Sequence, residues 1–200
     1  MNIIKNVIAI TGTPGTGKSS IARLLAKKIG ARLVDIGFLI QNERLTAGFD
    51  ERRDTLIADM KRIRKRITEI VKESEEKIIV EGHFVPHILP KNWIKTIFVL
   101  RRDPEELKEI LERRQYKEEK VRENVAAEVL DVCLFDAIKI CGQDKVCEID
   151  ITGKYARDIV EVIVAVLYNK EKCGKERIDW LEKLEYDGKI DDYLKYIESS

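Results

Sequence analysis

Short apolar runs alternate with longer amphipathic stretches over most of the chain. The apolar runs predict five strands, at Val7–Thr11, Arg32–Asp35, 77–80, 96–100 and 146–151. The amphipathic stretches predict a helix ending at Gly30 and further helices at 56–71, 103–114, 118–140 and Ala156–Leu167. This alternation is typical of strand–helix–strand units, so the chain is predicted to form an α/β domain around a parallel sheet.

The pattern changes after residue 168, where a polar stretch follows the last predicted helix. We therefore divide the chain into a main domain over 1–168 and an extension over 169–200, in which 177–186 and 189–197 predict two short helices. The apolar residues of the extension need a surface to cover: Trp180, Leu181, Leu184, Tyr193, Leu194 and Ile197. Docking on the same chain is the favoured interpretation, and a partner or dimer interface is the alternative.

Composition narrows the class of protein. The 37 Lys and Arg residues nearly cancel the 36 Asp and Glu residues, which leaves a formal charge of +1. This balance argues against binding duplex nucleic acid mainly through the overall field, although a local basic patch stays open. No apolar run approaches the roughly 20 residues that span a bilayer. The N-terminal residues show no export signal, so we expect a cytoplasmic protein without a membrane partner.

The four cysteines are Cys133, Cys141, Cys147 and Cys173, and they form no CxxC pair. No histidine cluster accompanies them, which argues against zinc. We interpret them as small buried hydrophobic residues in a reducing compartment. Abundant Lys and Glu with few Gln are typical of heat-adapted proteins, in which intracellular disulfides occur, so a Cys141–Cys147 bridge remains an alternative.

The segment Gly-Thr-Pro-Gly-Thr-Gly-Lys-Ser at 12–19 matches the phosphate-loop motif GxxxxGK[ST] without deviation. It lies between a predicted strand and a predicted helix, the context that the motif requires. Its glycines allow consecutive backbone N–H groups to face phosphate oxygens at the positive end of the helix dipole. We expect Lys18 to reach the β and γ phosphates and the Ser19 hydroxyl to bind Mg²⁺. The motif predicts nucleoside triphosphate binding through Gly12, Gly15, Thr16, Gly17, Lys18 and Ser19.

The type of P-loop protein follows from what surrounds the motif. The only Asn-Lys pair, at 169–170, lacks the Asp of a guanine-specificity loop and lies too late in the chain. Helicases and transport ATPases need longer chains with further motifs. A chain of 200 residues with its P-loop near the N-terminus fits the small nucleoside-monophosphate-kinase-like group.

Two further candidates lie at the end of the third predicted strand. Glu81 occupies the position of an acid that would hold Mg²⁺ through water or orient a nucleophile. His83 follows a glycine, so we place it in the crevice, where it could polarise a phosphate or position a water. The alternatives are an exposed strand-end charge for Glu81 and a surface or packed histidine for His83. His87 has no comparable context and is interpreted as structural.

A cluster of cations surrounds the break between two predicted helices: Arg113, Arg114, Lys117, Lys120 and Arg122. Such a cluster is usually a solvated helix face. Here it coincides with a turn at the position of a kinase lid, where arginines close over transferring phosphates and exclude water. We favour a lid over 113–124.

With these motifs in order, the chain resembles the adenylate kinase isoenzyme 6 family over about residues 4–167. The resemblance rests on four segments of the sequence: GTPGTGKSS, VEGHF, LERRQYKEEKVRENVAAE and EIDITGK. The resemblance implies a three-layer P-loop fold, strand order 2-3-1-4-5, and contacts of Gly15, Gly17, Lys18, Ser19 and Ser20 with ATP. It also implies that Arg114 is the lid arginine and Lys154 the base-side lysine. Gln115 replaces the usual lid glycine, and Glu81 replaces an aspartate found in eukaryotic members.

The same resemblance implies a broad-specificity nucleoside monophosphate kinase that uses ATP and Mg²⁺. It further implies an ATPase that serves late maturation of the small ribosomal subunit, with a platform protein of that subunit as partner; direct RNA contact stays open. The acceptor would bind within 35–59, where the candidate phosphate-binding residues are Arg44, Arg52 and Arg53. The alternatives are an assembly ATPase with incidental kinase activity and, more distantly, a small-metabolite kinase.

Overall fold

The computed structural model describes residues 6–51, 55–174 and 177–198. The strands are β1 (Val7–Thr11), β2 (Arg32–Asp35), β3 (Thr46–Asp50), β4 (Thr55–Ala58), β5 (Ile78–Glu81), β6 (Ile94–Arg101) and β7 (Val146–Asp150). The helices are α1 (Lys18–Ile29), α2 (Ile36–Asn42), α3 (Met60–Glu73), α4 (Val85–Ile88), α5 (Pro104–Arg113), α6 (Glu118–Val129), α7 (Val132–Cys141), α8 (Ala156–Leu167), α9 (Trp180–Tyr186) and α10 (Ile190–Glu198).

The main sheet is parallel, and its order is β2-β5-β1-β6-β7. This is the predicted order of the five strands, since β5, β6 and β7 are the third, fourth and fifth strands expected from the sequence. Alternate residues of β1 enter opposite cores: Val7 and Ala9 pack on the side of α3 and α7, whereas Ile8 and Ile10 pack on the side of α1 and α8. Two helical layers therefore enclose the sheet, and the predicted three-layer α/β fold is confirmed.

The predicted helix at 56–71 is wrong at its start. Residues 55–58 form β4, which pairs antiparallel with β3, and α3 begins only at Met60. The Asp59 carboxylate accepts hydrogen bonds from the backbone N–H groups of Lys61 (3.1 Å) and Arg62 (3.0 Å), which fixes that start. A short apolar run fits either a strand or a helix, and here the neighbouring β3 decided the outcome.

The predicted helix at 118–140 divides into α6 and α7. Asp131 lies between them in the left-handed region, with φ of 57°, and its carboxylate pairs with the buried guanidinium of Arg101 on β6. This tertiary ion pair lies at the break, and helical periodicity gives no sign of it.

The disulfide in the structure joins Cys147 and Cys173, and Cys141 is free. The interpretation of all four cysteines as reduced buried residues is therefore wrong for Cys147 and Cys173, and the alternative Cys141–Cys147 pairing is wrong as well. Cys141 packs in the core on the α3 and α7 side of the sheet, whereas Cys147 packs on the α1 and α8 side. The sheet itself separates the two sulfur atoms.

The C-terminal helices pack on the same chain. Leu184 of α9 is buried with Leu107, Leu111, Val121 and Val125 of α5 and α6, and Tyr193 of α10 packs against the same cluster. Both helices thus contact the pair of helices that flanks the predicted lid. In the described part of the chain, no helix is both long and apolar enough to cross a bilayer.

Candidate active site

The phosphate loop joins β1 to α1, and its glycines are required by close contacts. Gly12 has φ of 141°, and a Cβ there would lie 2.4 Å from the carbonyl oxygen of Leu100. Gly15 has φ of 97°, and a Cβ there would lie 2.8 Å from Leu107 Cδ1. Any larger residue would have to displace β6 or α5. The loop therefore curls against these two elements and leaves its backbone N–H groups at the start of α1.

Lys18 lies at the first position of α1 and is buried. Its Nζ donates a hydrogen bond to the carbonyl oxygen of Thr13, at 2.9 Å. Burial lowers the pKa of Lys18 below its usual value, while Glu81 and Glu128 oppose that shift. The ammonium group is thus held inside the loop, where phosphate oxygens would replace a carbonyl as its partner.

Glu81 and Asp35 end two adjacent parallel strands and occupy paired register positions. Glu81 is buried; burial raises its pKa to about 7, with a further contribution from Asp35, while a hydrogen bond from Ser19 and the charge of Lys18 oppose the shift. In the sequence, Asp35 stands out only as the first residue of the predicted acceptor region. Its position at a strand end, like that of Glu81, is the signal that could have identified it.

These side chains provide a donor set for a divalent cation. The Ser19 hydroxyl, the Glu81 carboxyl and the Asp35 carboxyl are linked by contacts at Glu81 and contain only oxygen donors. Hard oxygen donors in small number, completed by water and phosphate, are what Mg²⁺ takes in kinase sites. The residues present therefore fit a nucleotide-bound Mg²⁺.

His83 follows Gly82 at the mouth of the crevice, where its side chain is accessible to solvent on one side and packs against the ring of Phe84 on another. Its backbone carbonyl accepts a hydrogen bond from the Thr11 hydroxyl at 3.3 Å, which ties the segment to β1. Desolvation, together with the positive charges of Lys18 and Lys120, lowers the pKa of His83 to about 4. The imidazole is therefore neutral at pH 7. His87 Nε2 instead lies 2.9 Å from Oδ2 of Asp136 on α7.

The predicted lid cations do not act as one group. Arg114 follows the last residue of α5, and its positive charge adds to the effect of burial in lowering the pKa of Lys18. Arg113 Nε contacts the Glu109 carbonyl of its own helix at 3.3 Å, and Arg122 pairs with Glu118 one turn away. Arg113 and Arg122 thus contact groups of their own helices, whereas Arg114 contributes positive charge at Lys18; its role as the lid arginine stays a prediction.

The lid also touches the β3–β4 hairpin of the predicted acceptor region. Lys117 Nζ lies 3.3 Å from the Glu51 carbonyl oxygen, and Lys120 Nζ lies 3.2 Å from the Thr55 hydroxyl. Gln115, which replaces the glycine of the resemblance, has φ of 59°, so this turn adopts a conformation that favours glycine. The crevice is therefore bounded by the phosphate loop, the lid and the hairpin.

The candidate acceptor arginines are only partly described. Arg44 is exposed in the turn between α2 and β3, with φ of 51°, and its carbonyl accepts a hydrogen bond from Arg62 Nη1 at 3.2 Å. Arg52 and Arg53 lie outside the described residues. Their role in binding an acceptor phosphate stays a prediction.

The loop that contains Lys154 follows β7 and is held by hydrogen bonds at the start of α5. The Asp103 N–H donates to the Thr152 hydroxyl at 2.9 Å, and the Gly153 N–H donates to the Glu106 carboxylate at 3.0 Å. Lys154 Nζ contacts the Asp150 carbonyl at 2.8 Å. The predicted base-side loop thus lies next to the helix that leads to the lid.

Known proteins with similar sequences identify the family of this chain. The family described as "AAA domain" matches residues 8–131. A protein of Methanocaldococcus jannaschii described as "Putative adenylate kinase" is 42% identical over 177 residues, which cover 88% of this chain and 93% of that protein. The chain belongs to this archaeal adenylate kinase family. A second member, from Methanosarcina acetivorans, is 38% identical over 191 residues, covering 89% of this chain and 99% of that protein.

Solved structures support the fold of this family member. A gluconokinase from Sinorhizobium meliloti superposes with a TM-score of 0.53 and 16% identity, covering 92% of this chain and 98% of that one. At this identity the likeness concerns the fold alone. The predicted family and the predicted P-loop kinase-like fold are both confirmed.

Proposed function

We propose that the protein transfers the γ-phosphoryl group of ATP to AMP or a related nucleoside monophosphate. The observation that carries this proposal is the meeting of three parts around one crevice. They are the phosphate loop with Lys18, the lid with Arg114, and the β3–β4 hairpin that the lid contacts. A donor site and an enclosed acceptor region are what direct transfer between two nucleotides requires.

In this mechanism the loop backbone and Lys18 bind the β and γ phosphates. Arg114 approaches the transferring group from the lid and neutralises the charge that develops on it. Ser19, Glu81 and Asp35 would hold Mg²⁺, which supplies charge neutralisation at the phosphate oxygens when bound. The lid and hairpin exclude water, so the acceptor oxygen and not water reaches the phosphorus atom. Phosphoryl transfer depends chiefly on positioning and electrostatics, and no covalent intermediate is needed.

A second candidate is an assembly ATPase that serves maturation of the small ribosomal subunit and binds one of its platform proteins in the cytoplasm. The family resemblance supplies this role, and one observation favours hydrolysis. His83 is exposed at the crevice and neutral at pH 7, so its ring can accept a hydrogen bond from a water molecule.

The test is ADP formation from ATP with and without AMP, CMP, GMP and UMP, with Lys18→Ala as the background for contaminating kinases. We expect at least one monophosphate to raise turnover about tenfold or more. If none does and hydrolysis alone persists, the kinase proposal is wrong and the ATPase is favoured. Where transfer and hydrolysis both occur, a His83→Ala variant separates them, since a histidine that positions water should affect hydrolysis more than transfer.

A further inference from the structure

We propose that Trp180, in the C-terminal extension, is a positioning residue for the phosphate loop and acts through Glu128. This inference rests on the proposed function, because its test measures that activity. Trp180 itself lies outside residues 8–131, the part of the chain that the family model matches. The extension would then be part of the catalytic apparatus and not only a cover for α5 and α6.

Glu128 of α6 is the centre of this arrangement and is 1% exposed. Its Oε1 accepts hydrogen bonds from Arg101 Nε (2.8 Å), the Arg102 N–H (3.0 Å) and Trp180 Nε1 (3.1 Å). Its Oε2 accepts a hydrogen bond from the Thr13 hydroxyl. One buried carboxylate therefore joins β6, the extension and the phosphate loop.

Thr13 connects Glu128 to Lys18, because its hydroxyl binds Glu128 and its carbonyl oxygen binds Lys18. Its carbonyl oxygen accepts hydrogen bonds from Lys18 Nζ (2.9 Å) and from the Thr16 hydroxyl (2.8 Å). Fixing the Thr13 side chain thus fixes the peptide against which the Lys18 ammonium rests. A shift of this peptide would move the loop N–H groups that face phosphate, and misplacement of about 1 Å is costly in phosphoryl transfer.

The extension holds Trp180 at Glu128 through contacts of its own. Lys183, one turn along α9, pairs with Asp103 at the start of α5, and Leu184 is buried between α5 and α6. Lys189 at the start of α10 pairs with Glu105 at 2.8 Å. If position 180 served only to fill space, any large apolar side chain would be sufficient there. The indole N–H directed at a buried carboxylate oxygen is the feature that argues for a specific role.

The experiment compares Trp180→Phe, which keeps a ring in place but removes the N–H, with Trp93→Phe. Trp93 is the matched control because it is also buried, and it packs in the core formed with α3 and α7. Activity is measured at a temperature at which circular dichroism shows each variant fully folded. We expect Trp180→Phe to lower kcat/KM for ATP by about tenfold, the loss of one hydrogen bond to a charged group. Trp93→Phe should stay within about twofold.

A double-mutant cycle with Thr13→Val then separates positioning from stability. If Trp180 acts on the loop through Glu128 and Thr13, the double variant should lie within about twofold of Thr13→Val alone. The proposal is overturned if the kcat/KM loss of the double variant equals the product of the two single losses. It is also overturned if Trp180→Phe and Trp93→Phe lower kcat/KM equally. Should the unaltered chain hydrolyse ATP but phosphorylate no monophosphate, the proposed kinase function fails, while the cycle is still decided on hydrolysis.

Discussion

Asp35 and Glu81 stand side by side at the ends of β2 and β5, and their paired positions bring two carboxyl groups to the mouth of the phosphate loop. Two neighbouring carboxyl groups in a buried site repel each other when both are ionised, so ionising both costs free energy. Lys18 and Ser19 offset part of this repulsion. A divalent cation held by these carboxyl groups would offset the rest.

The raised pKa of Glu81 predicts a pH-dependent stability. An unfolded glutamate loses its proton near pH 4.5, whereas Glu81 in the fold keeps it until about pH 7. Between these values the native state binds one proton more than the unfolded state, so stability falls as pH rises through this window. Glu81→Gln removes the ionisation, and we expect it to raise the free energy of unfolding at pH 8 by about 1–3 kcal/mol.

Urea unfolding of this variant at pH 5 and pH 8 checks the prediction, with the exposed Glu76→Gln as control. The gain at pH 8 should exceed the gain at pH 5, and transfer activity should fall at both. A glutamine variant that is equally stabilised or destabilised at both pH values would contradict the raised pKa.

Lys18→Ala should abolish phosphoryl transfer and hydrolysis while the fold survives. The ammonium group is buried against a backbone carbonyl and its pKa is lowered by that burial, so its removal costs little stability. The charge it supplies at the β and γ phosphates is lost, which we expect to slow turnover on the order of 10³-fold or more. Turnover and far-UV circular dichroism test both halves of the statement. Comparable activity in a folded variant would refute the phosphate-loop assignment.

Arg114 and Arg113 are neighbours with different predicted effects. Arg114 influences Lys18 electrostatically, whereas Arg113 contacts a carbonyl of its own helix. An arginine that engages chiefly in the closed transition state should affect kcat more than ATP affinity. We expect Arg114→Ala to keep the Kd for ATP within about tenfold and to slow transfer by about 10³-fold, with Arg113→Ala much milder. Calorimetry with ATP and turnover with AMP measure the two effects; normal turnover in Arg114→Ala would assign the cluster to a surface role.

The Cys147–Cys173 bridge should make stability sensitive to reduction. The bridge closes a segment of 26 residues between β7 and the extension. In the chain-entropy view, opening it lowers the free energy of unfolding by about 3 kcal/mol. We expect a reductant to lower the urea midpoint of the unaltered chain and of Cys141→Ala, but not of Cys147→Ala. Loss of the reductant effect in Cys141→Ala would restore the alternative pairing.

The phosphate loop and the five strands were accessible from the sequence because they depend on local information, whereas the strand order was implied by the family resemblance. The segment 12–19 contains its whole function within eight residues, and the apolar runs beside it fit buried strands whatever packs around them. Lys18, Ser19 and Glu81 could therefore be placed at one edge of the sheet, because parallel strands end at the same edge. The family resemblance added Arg114 and Lys154 by position alone.

The tertiary structure decided what depends on partners distant in the chain. The run at 56–58 became a strand because β3 lies beside it, and 118–140 divided where Asp131 meets Arg101. Cys147 paired with Cys173 because the sheet lies between it and Cys141. Glu128 gained its position from residues up to 115 places away in the chain, which no periodicity or motif records. Sequence determines what a segment is able to form, and long-range packing selects among those possibilities.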